Sequence, residues 1–240
     1  MVHGSEVVNQ IASNLATVRE RIAAAARAAG RSSDSIRLVA VSKTFPVEDV
    51  RAAYEAGQRD FGENKVQEGL QKIDRTAELE IRWHLIGHLQ SNKARKAGPA
   101  FASIHSIDSI DLLRRVDAAA ADAGAAPEVL IQVDLAGEST KHGIAAGEVA
   151  AIARAGRECR AARLSGLMLL PPWSEDPEVT RPYFRRLCEL RDRLVTEDIE
   201  ASHLRELSMG MSHDYEVAIQ EGATIVRVGT AIFGKRTVRT

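Results

Sequence analysis

The chain lacks most of the features that mark secreted, membrane-embedded or nucleic-acid-binding proteins. Its two cysteines, Cys159 and Cys188, both fall within helical patterns, so neither a disulfide framework nor a zinc site is expected. No apolar run approaches membrane length, and no amino-terminal segment has the pattern of a signal peptide. A formal net charge of −1 provides no long-range attraction for nucleic acid or an anionic membrane. These absences predict a soluble, cytoplasmic protein with no membrane or nucleic-acid partner.

Common catalytic motifs are absent as well. No Gly-x-Gly-x-x-Gly turn follows the first predicted strand, and no Gly-x-Ser-x-Gly element occurs. The seven histidines form no His-Glu-x-x-His pattern, and no pair of carboxylates stands out. A dinucleotide fold, a serine hydrolase, a zinc protease and a glycosidase are therefore disfavoured, and no metal site is expected.

The chain does contain a regular alternation of β-rich runs and helical patterns. Residues 5–29 predict one amino-terminal helix with an apolar face, begun by Ser5 and ended by Gly30. After it, the predicted strands are Arg37–Ser42, Asp60–Phe61 with its neighbours, Arg82–Ile86, Ser103–Ser106, Glu128–Val133, Arg163–Met168, Glu206–Ser208 and Thr224–Val228. The predicted helices between them cover 47–56, 64–79, 91–97, 109–123, 145–161, 178–197 and 213–221.

This alternation also predicts how the strands associate. Strands that alternate with helices pair in parallel through crossovers, and eight such units favour closure into a barrel. We therefore predict an α/β chain that forms a single (β/α)8 TIM-barrel domain over residues 1–240, with residues 5–29 as an extra flanking helix. An open doubly wound sheet is the alternative, but the missing glycine-rich turn argues against it.

Lys43 is the most informative residue, because it lies at the carboxyl end of the first predicted strand, where α/β proteins bind ligands. A lysine that is partly desolvated there loses its proton more easily and can form an imine with a carbonyl compound. The plainer interpretation is a lysine that reaches from a strand end to water, which is the commoner outcome for an isolated lysine.

Polar and small residues lie near the ends of other predicted strands. Asn64 follows the second strand and His84 lies in the third. Ser212, Gly229 and Thr230 lie in the loops after the seventh and eighth strands, which form the usual phosphate site of such barrels. From its spacing alone, Ser212 is as consistent with simple capping of the following helix as with phosphate binding. The two loops of small residues together favour phosphate.

Arg227 interrupts the apolar run of the last predicted strand. Strand alternation places it on the same face as Ile225 and Gly229. Inside a barrel, an arginine needs groups that accept its hydrogen bonds. On the outer face it would instead meet a carboxylate from a helix, and the residues alone leave both orientations open.

The motifs around these residues resemble those of the YggS/PROSC family of pyridoxal 5′-phosphate (PLP) binding proteins. The matching blocks are Val39–Thr44, Phe61–Glu68, Trp83–Gln90 with Asn92-Lys93, Gly166–Met168, Leu207–Asp214 and Val226–Gly234. They occur in the family's order over residues 36–234, so their combination is much more specific than any single block.

The resemblance implies the alanine racemase barrel without its second, mostly β domain, and PLP held as a Schiff base on Lys43. It also implies that Arg227 approaches the pyridine nitrogen of PLP. Asn64 would then hydrogen-bond near the phenolic oxygen, Met209 would pack on the ring face, and His84 would contribute to the pocket. For Met209 and His84, ordinary packing in the core or wall is the commoner interpretation. Lys141 stays outside the predicted site, because the family's usual proline is missing from its loop.

Three functions are compatible with these observations. The first, which the resemblance implies, is a PLP-binding protein of intracellular PLP (vitamin B6) homeostasis that performs no amino-acid chemistry and has PLP-free enzymes as possible recipients. The second is a small PLP-dependent racemase or decarboxylase whose missing second base comes from a partner or a second subunit. The third is a phosphate-binding barrel without covalently held PLP.

Overall fold

The computed structural model describes residues 2–137, 142–197 and 199–235, with side chains from residue 6 onward. The barrel strands in this part of the chain are β1 (Arg37–Val41), β2 (Asp60–Glu63), β3 (Arg82–Leu85), β4 (Ser103–Ile107), β5 (Glu128–Asp134), β6 (Arg163–Leu169), β7 (Glu206–Met211) and β8 (Ile225–Val228). The helices are α1 (Val2–Ala28), α2 (Val47–Glu55), α3 (Val66–Arg75), α4 (Ala94–Ala100), α5 (Ile110–Asp122), α6 (Val149–Gly156), α7 (Arg181–Thr196), α8 (Tyr215–Gln220) and α9 (Thr230–Phe233). Short 3₁₀ helices cover Ser33–Ser35, Ser91–Lys93, Ala146–Glu148, Pro177–Thr180 and Ala201–Leu204.

The barrel strands form a closed ring in which every neighbouring pair is parallel. β1 closes the ring by pairing with β8, so that Val39 lies opposite Arg227 and Ala40 opposite Val228. A two-residue strand, Ile144–Ala145, pairs with the end of β5 outside the ring. The predicted (β/α)8 barrel is confirmed, and the open doubly wound sheet is excluded.

The hydrophobic core has two layers, as expected for strands that are covered on both faces. A small inner cluster fills part of the barrel interior with Val39, Leu130, Met168 and Ile225, all fully buried. A much larger outer cluster joins the strands to the surrounding helices. Side chains alternate between these layers along each strand, and this alternation decides which residues can face the barrel axis.

Helix α1 flanks the barrel and packs against α2, α8 and α9. Its buried face carries Ile11, Leu15, Val18 and Ile22, each at most 5% exposed. Burial of such side chains stabilises the fold by about 1.5–3 kcal/mol each. The predicted stop at Gly30 is confirmed, since Gly30 has the left-handed φ of +67° that favours glycine. The predicted start is wrong, because the helix extends to Val2 and Ser5 lies inside it.

The largest error in the predicted helices concerns residues 145–161. The observed helix covers only Val149–Gly156, and Cys159 lies beyond its end rather than within it. The carboxylate of Asp117 accepts hydrogen bonds from the backbone N–H groups of residues 160–162 at 2.8–3.1 Å. Those groups are therefore bound to α5 instead of continuing the helix. Within the described residues, no helix is both long and apolar enough to cross a membrane.

Candidate functional site

Lys43 lies two residues beyond β1, at the carboxyl end of the ring, and its side chain is half-buried. The next residue, Thr44, has a φ of +70°, a left-handed conformation that is strained for a residue other than glycine. Its backbone N–H donates a hydrogen bond of 2.6 Å to Glu68 Oε1 on α3. This contact holds the chain in the sharp turn that follows Lys43.

A buried ionic cluster supports the same turn from behind. Lys72 Nζ lies 2.7 Å from Glu63 Oε1 and 3.0 Å from Glu68 Oε1. It also donates a hydrogen bond of 2.8 Å to the carbonyl oxygen of Ser42, and the Ser42 hydroxyl donates one of 2.7 Å to Glu63 Oε1. The residues on either side of Lys43 are therefore both bound to this cluster.

Opposing effects act on the two carboxylates of the cluster. Burial raises the pKa of Glu63 above its usual range, and the attraction of Lys72 only partly offsets it. Burial also acts to raise the pKa of Glu68, but hydrogen bonds from Thr44 and Lys72 outweigh it and lower that pKa. Sequence reasoning missed this cluster. The available signal was that Glu63 and Glu68 belong to the motif after β2 and that Lys72 follows Glu68 by one helical turn.

Asn64 follows β2 and lies beside the same mouth. Its side-chain Oδ1 is buried and has no hydrogen-bond partner among the described residues. A buried amide oxygen without a partner is costly, so this end of Asn64 is available to a ligand. Gly87 fixes the position of Asn64 by close packing, since a Cβ on Gly87 would lie 2.2 Å from the Asn64 carbonyl oxygen.

The last two loops converge on Ser212. The Ser212 hydroxyl accepts hydrogen bonds from the backbone N–H of Gly229 at 3.0 Å and of Ala231 at 3.5 Å. The alternative of simple helix capping is wrong, because α8 begins only at Tyr215 and Asp214 precedes it. Both amides therefore point at the Ser212 oxygen, and the hydroxyl proton of Ser212 is the group left to donate to an anion between the loops.

This loop pair lies beside the strand that carries Lys43. Ala40 pairs with Val228, and a Cβ on Gly229 would approach the carbonyl oxygen of Val41 to 3.1 Å. Thr230 is exposed at the start of the short helix α9. Closure of the ring therefore brings the strand end before Lys43 against Gly229, although the two lie near opposite ends of the sequence.

Arg227 faces the barrel interior and is 3% exposed. It shares this face with Ile225 of the inner cluster, so the outward orientation is excluded. One guanidinium nitrogen donates to Ser208 Oγ at 2.5 Å and another to the carbonyl oxygen of Leu169 at 2.9 Å. Burial lowers the pKa of Arg227 to about 10, which still leaves the side chain cationic at neutral pH.

Two of the predicted site residues are buried. His84 is 1% exposed, and its ring nitrogens lie within hydrogen-bond distance of His105 and Asp60 in the barrel interior. Met209 has no exposed surface and belongs to the outer cluster of strands and helices. Lys141 falls outside the described residues.

A parallel barrel with a lysine, an anion site and a buried arginine at the carboxyl end of its strands defines a class of lysine-bearing α/β barrels. The family model for the alanine racemase N-terminal domain matches residues 11–237. The pyridoxal phosphate homeostasis protein of Aquifex aeolicus is 44% identical over 222 residues, covering 92% of this chain and 96% of that protein. The corresponding Escherichia coli K12 protein is 43% identical over 236 residues, covering 95% and 98%. The chain belongs to this family of pyridoxal phosphate homeostasis proteins, built on the alanine racemase N-terminal domain.

Solved structures agree with this assignment. PipY of Synechococcus elongatus, determined with PLP bound, has a TM-score of 0.82 and 38% identity, covering 94% of this chain and all of that one. Alanine racemase of Clostridium difficile has a TM-score of 0.73 but only 14% identity, so it shows the shared fold alone. The chain covers 58% of that enzyme. The family resemblance predicted from the motifs is confirmed.

The residues at the mouth fit a phosphorylated aldehyde such as PLP. The Ser212 hydroxyl proton suits a phosphate oxygen, because Ser212 Oγ already accepts from the amides of Gly229 and Ala231, and the amine of Lys43 suits a carbonyl carbon. The unpartnered Oδ1 of Asn64 and the cationic Arg227 provide further polar groups on the same side of the barrel. The contacts proposed for His84 and Met209 remain predictions from the resemblance.

Proposed function

We propose that this chain binds PLP through an imine on Lys43 and serves in PLP homeostasis without transforming amino acids. One observation carries the proposal. The pairing of β1 with β8 puts Val41, two residues before Lys43, against Gly229, whose amide is bonded to Ser212, and this supports an amine and a phosphate-binding loop at one mouth. An aldehyde and a phosphate on one small molecule require such a pair of groups. The curated relatives are named as homeostasis proteins, which supports the same function.

Arg227 limits the chemistry that such a site performs. When bound, PLP supplies an electrophilic carbonyl carbon and a ring that can withdraw electrons once its nitrogen is protonated. A guanidinium beside that nitrogen disfavours protonation, because two adjacent positive charges repel each other in a buried site. Arg227 is cationic and buried among neutral groups, so it favours retention of the cofactor over carbanion chemistry.

The second function, racemisation or decarboxylation by the chain itself, receives less support. Racemisation requires a base on each face of the substrate, and Lys43 supplies only one. Tyr54, Tyr183 and Tyr215 all lie on helices outside the ring. Tyr215 is 1% exposed and belongs to the outer cluster. The same relatives carry the names of homeostasis proteins and not of enzymes, which favours a role without catalysis.

Borohydride reduction followed by peptide mass spectrometry tests the proposed attachment. With PLP-saturated protein, we expect the reduced cofactor on the peptide that contains Lys43, and we expect Lys43→Ala to lose it while retaining its fold by circular dichroism. The matched control is Lys65→Ala, because Lys65 is an exposed lysine beside Asn64. Label on another peptide in the unmodified protein would assign the amine elsewhere. Complete absence of label would favour the phosphate-binding barrel.

Exchange of the amino-acid Cα proton distinguishes a protein that only binds PLP from one that catalyses a reaction with it. We expect no enzymatic exchange of the Cα proton when PLP-loaded protein is incubated with single L-amino acids in deuterated water. Exchange at enzymatic rates would restore the racemase hypothesis. The possible recipients, PLP-dependent enzymes without their cofactor, and the cytoplasmic location both remain predictions from the sequence.

A further inference from the structure

A chain of buried polar side chains crosses the barrel interior and ends on Arg227. Ser208 Oγ lies 2.8 Å from His105 Nδ1, and His105 Nε2 lies 3.0 Å from His84 Nδ1. His84 Nε2 in turn lies 2.9 Å from Asp60 Oδ1. Ser208 and His105 have no exposed surface, and His84 is 1% exposed. We call these four residues, Asp60, His84, His105 and Ser208, the axial chain.

The two ends of the axial chain lie at opposite ends of the barrel. Asp60 is the first residue of β2, at the amino end of the strands, where it also pairs with the largely exposed Arg82. Arg227 lies near the carboxyl end of β8. The axial chain therefore reaches from the side of the barrel remote from Lys43 to Arg227, near the carboxyl end of the strands.

The available donors and acceptors allow only one direction for the hydrogen bonds of the axial chain. A guanidinium can only donate, so Ser208 Oγ accepts from Arg227. The Ser208 proton then goes to His105 Nδ1, since no other acceptor for it is found among the described residues. His105 must donate through Nε2 to His84, and His84 must donate through Nε2 to the Asp60 carboxylate. The opposite direction would leave the Ser208 proton buried without an acceptor, which costs about 1–3 kcal/mol.

Electrostatics agree with this direction. Burial lowers the pKa of His105 well below its usual range, with smaller contributions from His84 and from the cationic Arg227 and Arg37, so His105 is neutral. Burial acts to raise the pKa of Asp60, but hydrogen bonds from His84 and Arg82 outweigh it and lower that pKa, so Asp60 is an anion. The axial chain thus links the cationic Arg227, through a neutral His105, to a carboxylate at its other end.

Arg227 has no carboxylate of its own in direct contact. Among residues 2–137, 142–197 and 199–235, no carboxylate forms an ion pair with it, and the nearest negative influence is Asp214, whose Oδ1 is bound by the Met211 N–H. A buried cation requires compensation and a fixed set of acceptors. The polarised axial chain provides both, because each donated hydrogen bond strengthens the next one.

We propose that the axial chain positions Arg227 and that Asp60 acts as its remote counter-charge. Asp60, His84, His105 and Ser208 are positioning residues, since none of them touches the cofactor. They fix the direction of the guanidinium and keep its remaining N–H groups aimed at the ligand. This inference rests on the proposed function for its readout at PLP, but the axial chain itself can be measured without PLP.

A double-mutant cycle on PLP binding provides the main test. We expect Asp60→Asn, which keeps the shape and removes the charge, to weaken PLP affinity about tenfold and to shift the absorbance maximum of the bound cofactor. Ser208→Ala should have a similar effect. The double variant should lose no more than the worse single variant, because a chain already cut at Ser208 no longer transmits the charge of Asp60. Arg82→Gln is the matched control and should change affinity less than twofold, since it removes only the exposed partner of Asp60.

Three outcomes would overturn the inference. The first is a PLP affinity and spectrum of Asp60→Asn like those of Arg82→Gln. The second is a double variant in which the losses of affinity from the two single substitutions multiply, and the third is a tautomer of His84 or His105 other than the expected one. The tautomers are read by ¹⁵N NMR on the protein without PLP, where His84 and His105 should both carry their proton on Nε2. A proton on His105 Nδ1 would reverse the direction of the hydrogen bonds in the axial chain and refute the inference. This measurement does not depend on whether a variant folds. Absence of PLP binding by the unmodified protein would instead refute the proposed function. The NMR measurement of the tautomers would then decide the inference about the axial chain.

Discussion

The buried ionic cluster behind Lys43 leads to a quantitative prediction for Lys72→Met. The side chain of Glu63 is fully buried and that of Lys72 is 8% exposed. Methionine keeps most of the volume of lysine but leaves Glu63 without its cation. Removal of one partner from a buried pair costs about 3–5 kcal/mol in the free energy of unfolding. Because Glu63 keeps the Ser42 hydroxyl and can take up a proton, we expect the lower end, about 3 kcal/mol.

The loss of stability should depend on pH. Burial already raises the pKa of Glu63, so the folded protein holds a proton on this carboxyl at pH values where the unfolded chain has lost it. The resulting stability is fully present below the ordinary glutamate pKa and disappears as the pH rises through the raised value. Without Lys72, that value rises further. Lys72→Met should therefore be much more destabilising at about pH 8 than at about pH 5.

Urea unfolding at the two pH values measures this effect. Arg75→Met is the matched control on the same helix, since the Arg75–Glu48 pair is exposed and should contribute only about 0–1 kcal/mol. The double variant Glu63→Gln with Lys72→Met should recover most of the loss at high pH, because it leaves no buried charge. A loss under about 1 kcal/mol at both pH values would refute the argument that Lys72 stabilises a buried anion.

Two further predictions concern the mouth. Ser212→Ala should weaken PLP retention about tenfold in equilibrium dialysis, and it should also lower the urea midpoint, because the N–H groups of Gly229 and Ala231 lose their acceptor. Unchanged retention would place the phosphate elsewhere. Gly87→Ala should destabilise the fold by about 2 kcal/mol, since its Cβ would lie 2.2 Å from the carbonyl oxygen of Asn64. Gly147→Ala, where nothing lies within 4 Å of the added Cβ, is the control, and equal effects of the two substitutions would contradict the packing argument.

The comparison of strands and helices shows where local patterns suffice. All eight predicted strands are present, because each combines β-branched or apolar residues with a turn on either side. Helix ends were less predictable. Residues 157–161 continue a helical pattern, but the helix ends at Gly156. The carboxylate of Asp117 on α5 accepts hydrogen bonds from the backbone N–H groups of residues 160–162 instead. A contact between residues more than forty positions apart leaves no trace in a local pattern.

The candidate site divides in the same way. Lys43 and the loops of Ser212 and Gly229 could be predicted as strand-end features, because strand-end lysines and small-residue loops are local. The hydrogen bonds of His84 could not be predicted, because its partners, Asp60 and His105, lie on other strands. The burial of Met209 in the outer cluster could not be predicted either, because the sequence does not show which layer of the barrel a buried methionine fills.

The amino-acid sequence by itself determined the alternation of strands and helices, the closed parallel barrel and the lysine at its carboxyl end, because periodicity and turn residues act over a few positions. Tertiary structure alone decided the inward orientation of Arg227, the route of the axial chain and the support of Lys43 by Glu63, Glu68 and Lys72. These contacts join residues from separate strands and helices. They exist only once the ring closes and excludes water, when each buried polar group must find a partner across the barrel.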